Sequence, residues 1–242
     1  MRSQLAGPTT TFAQGIFSES SSQLHQFGEL AHTNDGRAFR YCQVGATALV
    51  AASLYQCRAE DTSNFQNLAV AVNSVGDTTV TTTTTVTLTA NQLAGGFLVI
   101  ESATAGAGFT YRIKSHPAAS GAVVTFTLED PIIVATTGTV NIDVHPHPYD
   151  DVIIAPTTAT SANAGFAVYN VTALYYGWLC VLGPTAALAQ GTIIVGDGCV
   201  PAETTTAGAI GPKADASLSD VVATAFTGIA STDIGLVTAK IG

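Results

Sequence analysis

The 242-residue chain has a mass of 24.6 kDa, a formal net charge of −9, and 47% hydrophobic against 10% charged residues, enough for one large domain or two small ones with proper cores. With Lys and Arg numbering 8 in all, it lacks a basic stripe to neutralise phosphates, which excludes nucleic acid as a partner. The same scarcity argues against docking on a membrane surface, where each cation contributes only ~1 kcal/mol.

The opening MRSQLAGPTTTFAQG holds one basic residue and no apolar run, so no cleaved secretory signal is read and synthesis in a cytoplasm is expected. Serines cluster at Ser18 to Ser22 in a polar N-terminal segment. At Asn34 to Gly36, NDG is a hairpin-turn tripeptide, because these residues tolerate positive φ. RAFRYCQV then alternates Phe39 and Tyr41 against Arg40 and Cys42, the period of a strand. The small apolar run GATALVAASL that follows suits close approach to other backbones. Arg37 and Arg40 stand beside the turn in a chain poor in cations. A carboxylate on a neighbouring subunit is one expected partner, and an exposed intrachain pair, worth ~0–1 kcal/mol, is the other.

Thr and Val dominate while good helix formers are rare, so the chain reads as all-β, with one short helix allowed in TSNFQNLAVA, Thr62 to Ala71. TTVTTTTTVTLT, Thr78 to Thr89, predicts a strand with Val80, Val86 and Leu88 on its inner face. GFLVIE, GFTYRIK, AVVTFTLED and GTVNIDVHP follow, each bounded by Gly or Pro, and predict a compact β module. HPHPYDD comes next, then DVIIAP, GFAVYNVTALYYGWLCVLGP, GTIIVGDGCVP, VVATAFTGIA and IGLVTAKI. Short strands so spaced predict a small β-sandwich or barrel. The expected organisation is 1–75 as an N-terminal segment and first part of the β domain, 76–147 as an inserted β module, and 148–242 as the remainder. LYYGWLCVLGPTAALA is broken by Gly177, Gly183 and Pro184 and falls short of the roughly 20 residues of a spanning helix.

Few constellations suggest chemistry. His145 and His147, two apart on an extended segment, put both rings on one side, with Asp150 and Asp151 near, which could suit a metal. Alternating prolines describe a rigid connector equally well and no third ligand is spaced for it, so a linker is expected and no metal. Glu129 and Asp130 are adjacent, and neighbours on a strand point to opposite faces, so they cannot flank one bond. No GxSxG pentapeptide and no phosphate-cradling loop occurs. Trp178, beside Tyr175, Tyr176 and Leu179, is expected to fill a core. Cys42, Cys57, Cys180 and Cys199 are too widely spaced for a metal motif and are expected as buried free thiols, with a disulfide left open. The expectation is no catalytic, cofactor-binding or metal site, no cofactor and no enzyme.

Three pieces, DGRAFRYCQVGATALVAASL (Asp35 to Leu54), YYGWLCVLGPTAALAQGTIIVGDGCVPAETTTAGAI (Tyr175 to Ile210) and GIASTDIGLVTAKI (Gly228 to Ile241), resemble the small β-rich capsid decoration, or cement, proteins of tailed bacteriophages. AGGFLVIESATAGAGFTYRIKSHPAA, Ala94 to Ala119, resembles a β module inserted in larger phage structural proteins. Two departures stand out: Ser53 replaces a glycine of the first piece, and the inserted module lengthens the chain. The resemblance implies a virion protein on the capsid exterior, made in the host cytoplasm, that contacts the major capsid protein as a homo-oligomer, commonly a trimer. The reading of another class is a carbohydrate- or receptor-binding adhesin domain of a tail fibre or spike.

Overall fold

The computed structural model describes residues 14–70, 72–101, 107–121, 123–136, 140–214 and 220–241. In chain order the elements are β1 (Leu30–His32), β2 (Ala38–Gln43), β3 (Leu54–Gln56), α1 (Thr62–Phe65), β4 (Leu68–Ala69), β5 (Thr79–Thr83), β6 (Thr87–Leu88), β7 (Phe97–Ile100), β8 (Thr110–Ser115) and β9 (Ala119–Ser120). They continue with β10 (Val123–Leu128), β11 (Asn141–His145), β12 (Ile153–Ile154), β13 (Asn163–Ala167), β14 (Tyr176–Leu188), β15 (Gly198–Pro201), β16 (Ile210–Pro212), β17 (Ala223–Ala225) and β18 (Ile234–Lys240). The protein is all-β, with barrel-like curling of its sheets. Among the described residues, no helix is long and apolar enough to cross a membrane.

The chain divides into two compact units, one of Met1–Ala59 with Pro148–Gly242 and one of Glu60–His147. The second begins at Glu60 rather than at 76, where the composition changes, because β4 pairs with β11 and the Asn67 N–H donates to Asp143 Oδ1 at 2.8 Å. Residues just after Ala59 are thereby tied to the strands that follow them.

In the larger unit the strand order is β12-β3-β13-β14-β18-β17-β15-β16, with β2 on β14 and β1 on β2. Past β14, Ala189 bridges Ile210 in parallel and the Gln190 N–H donates to the Ile210 carbonyl at 2.7 Å, so the path β14-β18-β17-β15-β16 returns to the end of β14. This curl encloses Phe39, Tyr41, Leu54, Phe166, Trp178 and Val237. The expected alternation in β2 is only half the story: Arg40 is half-buried, but Cys42 is as buried as Phe39 and Tyr41. Cys42 belongs to a second core with Val44, Leu49, Tyr55 and Leu179, so β2 is covered on both faces. In the run after β2, the expectation of close approach is met at Gly45, whose α-carbon side faces Asp151 and the Val152 carbonyl, and at buried Leu49, Ala52, Ser53 and Leu54, whose backbones bond to neighbouring strands. Ala46, Thr47 and Ala48 are exposed, because the chain turns there instead of pairing.

The smaller unit is a six-stranded sheet, β4-β11-β7-β8-β10-β5, antiparallel throughout. Val70, next after β4, bridges Thr82 of β5, and Thr82 Oγ1 donates to the Ala69 carbonyl at 2.6 Å, which joins the two outer strands. Val80, Leu98, Ile100, Ile113, Phe126 and Val144 fill it. The threonine-rich stretch is two strands rather than one. The Val86 N–H donates to Thr84 Oγ1 at 3.3 Å, a local bond that competes with the ladder. The chain turns there, β5 pairing with β10 and β6 with β9. The helix is a single turn inside the expected window, capped by Asp61 accepting from the Asn64 N–H and ended by extended Gln66.

Candidate functional site

The residues singled out by sequence do not converge. Arg37 pairs with Asp35 across the Gly36 turn, Nη2 to Oδ2 at 2.8 Å, and this guanidinium with the Thr33 hydroxyl lowers the Asp35 carboxyl to about 2. Arg40 donates to the Gly28 carbonyl at 2.9 Å and lies over the Tyr149 ring. Both arginines therefore have partners within the chain. Trp178 is 2% exposed and packs edge-on against Tyr41 at 5.0 Å, in the core as expected.

His145 closes β11, and the His147 ring lies 6.0 Å from that of Phe97. Asp150 is half-buried, and burial lifts its carboxyl to about 6, with Asp151 adding to the rise and Arg58 opposing it. Among the described residues, no three His, Cys, Asp or Glu side chains gather as metal ligands would. Glu129 faces Arg112 at 3.6 Å, and Asp130 is exposed beside it. All four cysteines are free and buried.

The feature that sequence reasoning missed lies on the outer face of β14, β18 and β17. The Gly183-Pro184 pair reads as a strand end, yet β14 runs through it for 13 residues. Its register against β2 shifts between Cys180 and Leu182, and Gly183 takes a φ of 91°. The irregularity thus falls at Val181, just before the pair, where the strand nears the end of its pairing with β2, and the ladder to β18 runs through Gly183 and Pro184 without a break. Along this ladder Leu182, Pro184, Ala186 and Leu188 stand opposite Lys240, Thr238, Leu236 and Ile234.

Thr224 and the following Phe226 extend this row onto β17, the Phe226 N–H donating to the Leu236 carbonyl at 3.0 Å. Leu182 is 49%, Ile234 61%, Leu236 39% and Phe226 64% exposed, and Lys240 is the one charged side chain in the row. The solvated face of an antiparallel sheet is ordinarily polar, so an apolar row here is the departure that calls for notice. The sequence signal was present as a period of two in LGPTAAL and IGLVTAK.

An open cleft of about 370 Å³ elsewhere in the same unit is lined by Gln56, Pro156, Thr157, Asn163, Pro201 and Glu203, among others. Gln56 is buried there and its amide bonds to Thr160 Oγ1 at 2.5 Å.

No protein-family profile, no curated protein and no solved structure matches the chain.

Proposed function

We propose that the chain is a non-enzymatic structural component of a tailed-phage virion, a homo-oligomer that decorates or cements the capsid exterior through the major capsid protein. One observation carries this reading. The three pieces that resemble decoration proteins, although scattered along the chain, contain β2, β14, β15 and β18, and these assemble into one sheet through the pairs β2 with β14 and β14 with β18. The module-like piece, Ala94 to Ala119, lies wholly in the other unit. Pieces of one ancestral domain should meet in one sheet, as these do.

The test is the location and copy number of the protein in purified particles. Many copies on the head, removable with loss of heat resistance but not of the shell, support the reading; a few copies confined to the tail overturn it. The adhesin reading draws on the cleft, whose amide, hydroxyl and carboxylate groups suit a sugar. Its apolar lining is Ala and Pro rather than the aromatic rings on which sugars usually stack. Saturable binding of host surface glycans by the isolated protein would favour that second reading.

A further inference from the structure

We propose that the cleft between β3, β13 and the end of β15 binds the N-acetyl group of an uncharged amino sugar, a site that rests on the saccharide reading of the cleft and not on the virion reading.

Two carboxamides meet in this cleft. Gln56 lies in β3, which is paired along both edges, and stands opposite Ile153 on one side and Asn163 on the other. The ladder to β13 carries one extra residue between Asn163 and Gly165. In an unbroken ladder Ala164 would face Gln56; the bulge puts Asn163 there instead, and residues so paired project to the same side of the sheet. Both side chains line the cleft. Gln56 is 1% exposed, donates from Nε2 to Thr160 Oγ1 at 2.5 Å and accepts the Thr160 N–H at Oε1 at 3.5 Å. One N–H and one lone pair of its amide are left over. The half-buried Asn163 carboxamide makes no hydrogen bond to any described residue. Between them the two amides can take the C=O and the N–H of one acetamido group.

The rest of the lining narrows the class. Ala155 and Ala202 are buried and Pro156 and Pro201 half-buried, small apolar surfaces that accept a methyl group and offer no ring to stack on. Thr157 and Thr158 add hydroxyls for those of a sugar. No Lys, Arg or His lines the cleft, and the chain carries a net charge of −9, so an acidic sugar is disfavoured. A peptide added as a strand needs a free edge, but β3 is occupied on both and Pro201 has no N–H. At about 370 Å³ the cleft is near the lower end of ligand sites, roughly 300–1,000 Å³, which suits one or two sugar rings.

Saturation-transfer NMR on the full chain, titrated with N-acetylglucosamine, N-acetylgalactosamine, glucose and galactose, tests this. The expected result is saturable binding of an N-acetylated sugar, about tenfold or more tighter than of its unacetylated counterpart, with the acetyl methyl protons most strongly saturated. Asn163→Ala should weaken it by about tenfold with an unchanged far-UV spectrum, because that side chain holds no bond in the fold. Asn163→Asp, which keeps the size and loses the donor, should weaken it likewise. Equal affinity for the unacetylated sugars, or no loss in either variant, overturns the acetyl site and leaves a saccharide cleft standing. An acetylated dipeptide amide that binds as tightly as the sugar also overturns it. Binding of none of these sugars overturns it together with the saccharide reading.

Discussion

The Leu93 N–H donates to Nε2 of His116 at 2.9 Å, which fixes the tautomer of a buried imidazole. Nδ1 then carries the proton and donates to the Pro117 carbonyl at 2.8 Å, while the His116 N–H donates to Asn91 Oδ1 at 3.1 Å. The ring, edge-on to Phe126 at 5.4 Å, does the work of a missing strand neighbour for two backbone groups. Replacing it by Phe keeps the volume but orphans the buried Leu93 N–H, while the carbonyl of exposed Pro117 can turn to water. His116→Phe should cost the smaller unit about 2–3 kcal/mol, and hydrogen exchange at Leu93 should accelerate accordingly.

Asp150 makes the larger unit pH-sensitive. Its folded carboxyl is raised to about 6 from 3.8, chiefly by burial, so between these values the folded state holds the proton more tightly than the unfolded chain. Stability therefore falls as pH rises from about 4 to about 6, and the cost is complete above that, reaching up to about 3 kcal/mol. Asp150→Asn should remove this slope and be the more stable protein at pH 7. Chemical denaturation at a series of pH values measures the difference.

Gly96 tolerates no side chain. A β-carbon there would stand 3.0 Å from the Leu93 carbonyl oxygen and 3.0 Å from Pro146 Cα, and closer still to the His145 carbonyl oxygen. These are backbone atoms that cannot turn aside. Gly96→Ala should destabilise the smaller unit by about 3 kcal/mol, whereas Gly108→Ala, with open space at its β position and a φ of 83°, should cost about 1 kcal/mol. Thermal unfolding of the two variants should separate them clearly.

The four thiols should be silent in the native state. Burial pushes Cys42 up to about 12, Cys180 and Cys199 up to about 11, and Cys57 upward as well, so little thiolate exists to react. Alkylation at pH 8 should be on the order of 100-fold slower than for a free thiol, with four equivalents taken up once denaturant is added.

Local chemistry was legible in the sequence wherever one residue decides the conformation. The Asn34-Asp35-Gly36 turn, the one-turn helix and the burial of Trp178 were all readable in this way. Pairing was less so. The threonine run satisfies strand propensity along its whole length, and only the bond from Val86 to Thr84 reveals the break. Gly183-Pro184 carries the signature of a turn, yet the strand runs straight through it because β18 lies alongside to pair with. The apolar face was hidden for that reason, since its two halves are brought into register by β18, some fifty residues beyond.

The interruption of the larger unit by the smaller one dictates an order of assembly on the ribosome. Glu60–His147 is contiguous and can close its sheet as soon as it emerges. β2, made earlier, must wait for β14, with Cys42 and its partner Gly177 135 positions apart. Until then Phe39 and Tyr41 have no sheet to complete and the nascent strand keeps an open edge. Synthesis thus exposes the oldest part of the chain for longest, and a pause between β2 and β14 is the moment at which a chaperone, or another nascent copy, can capture it.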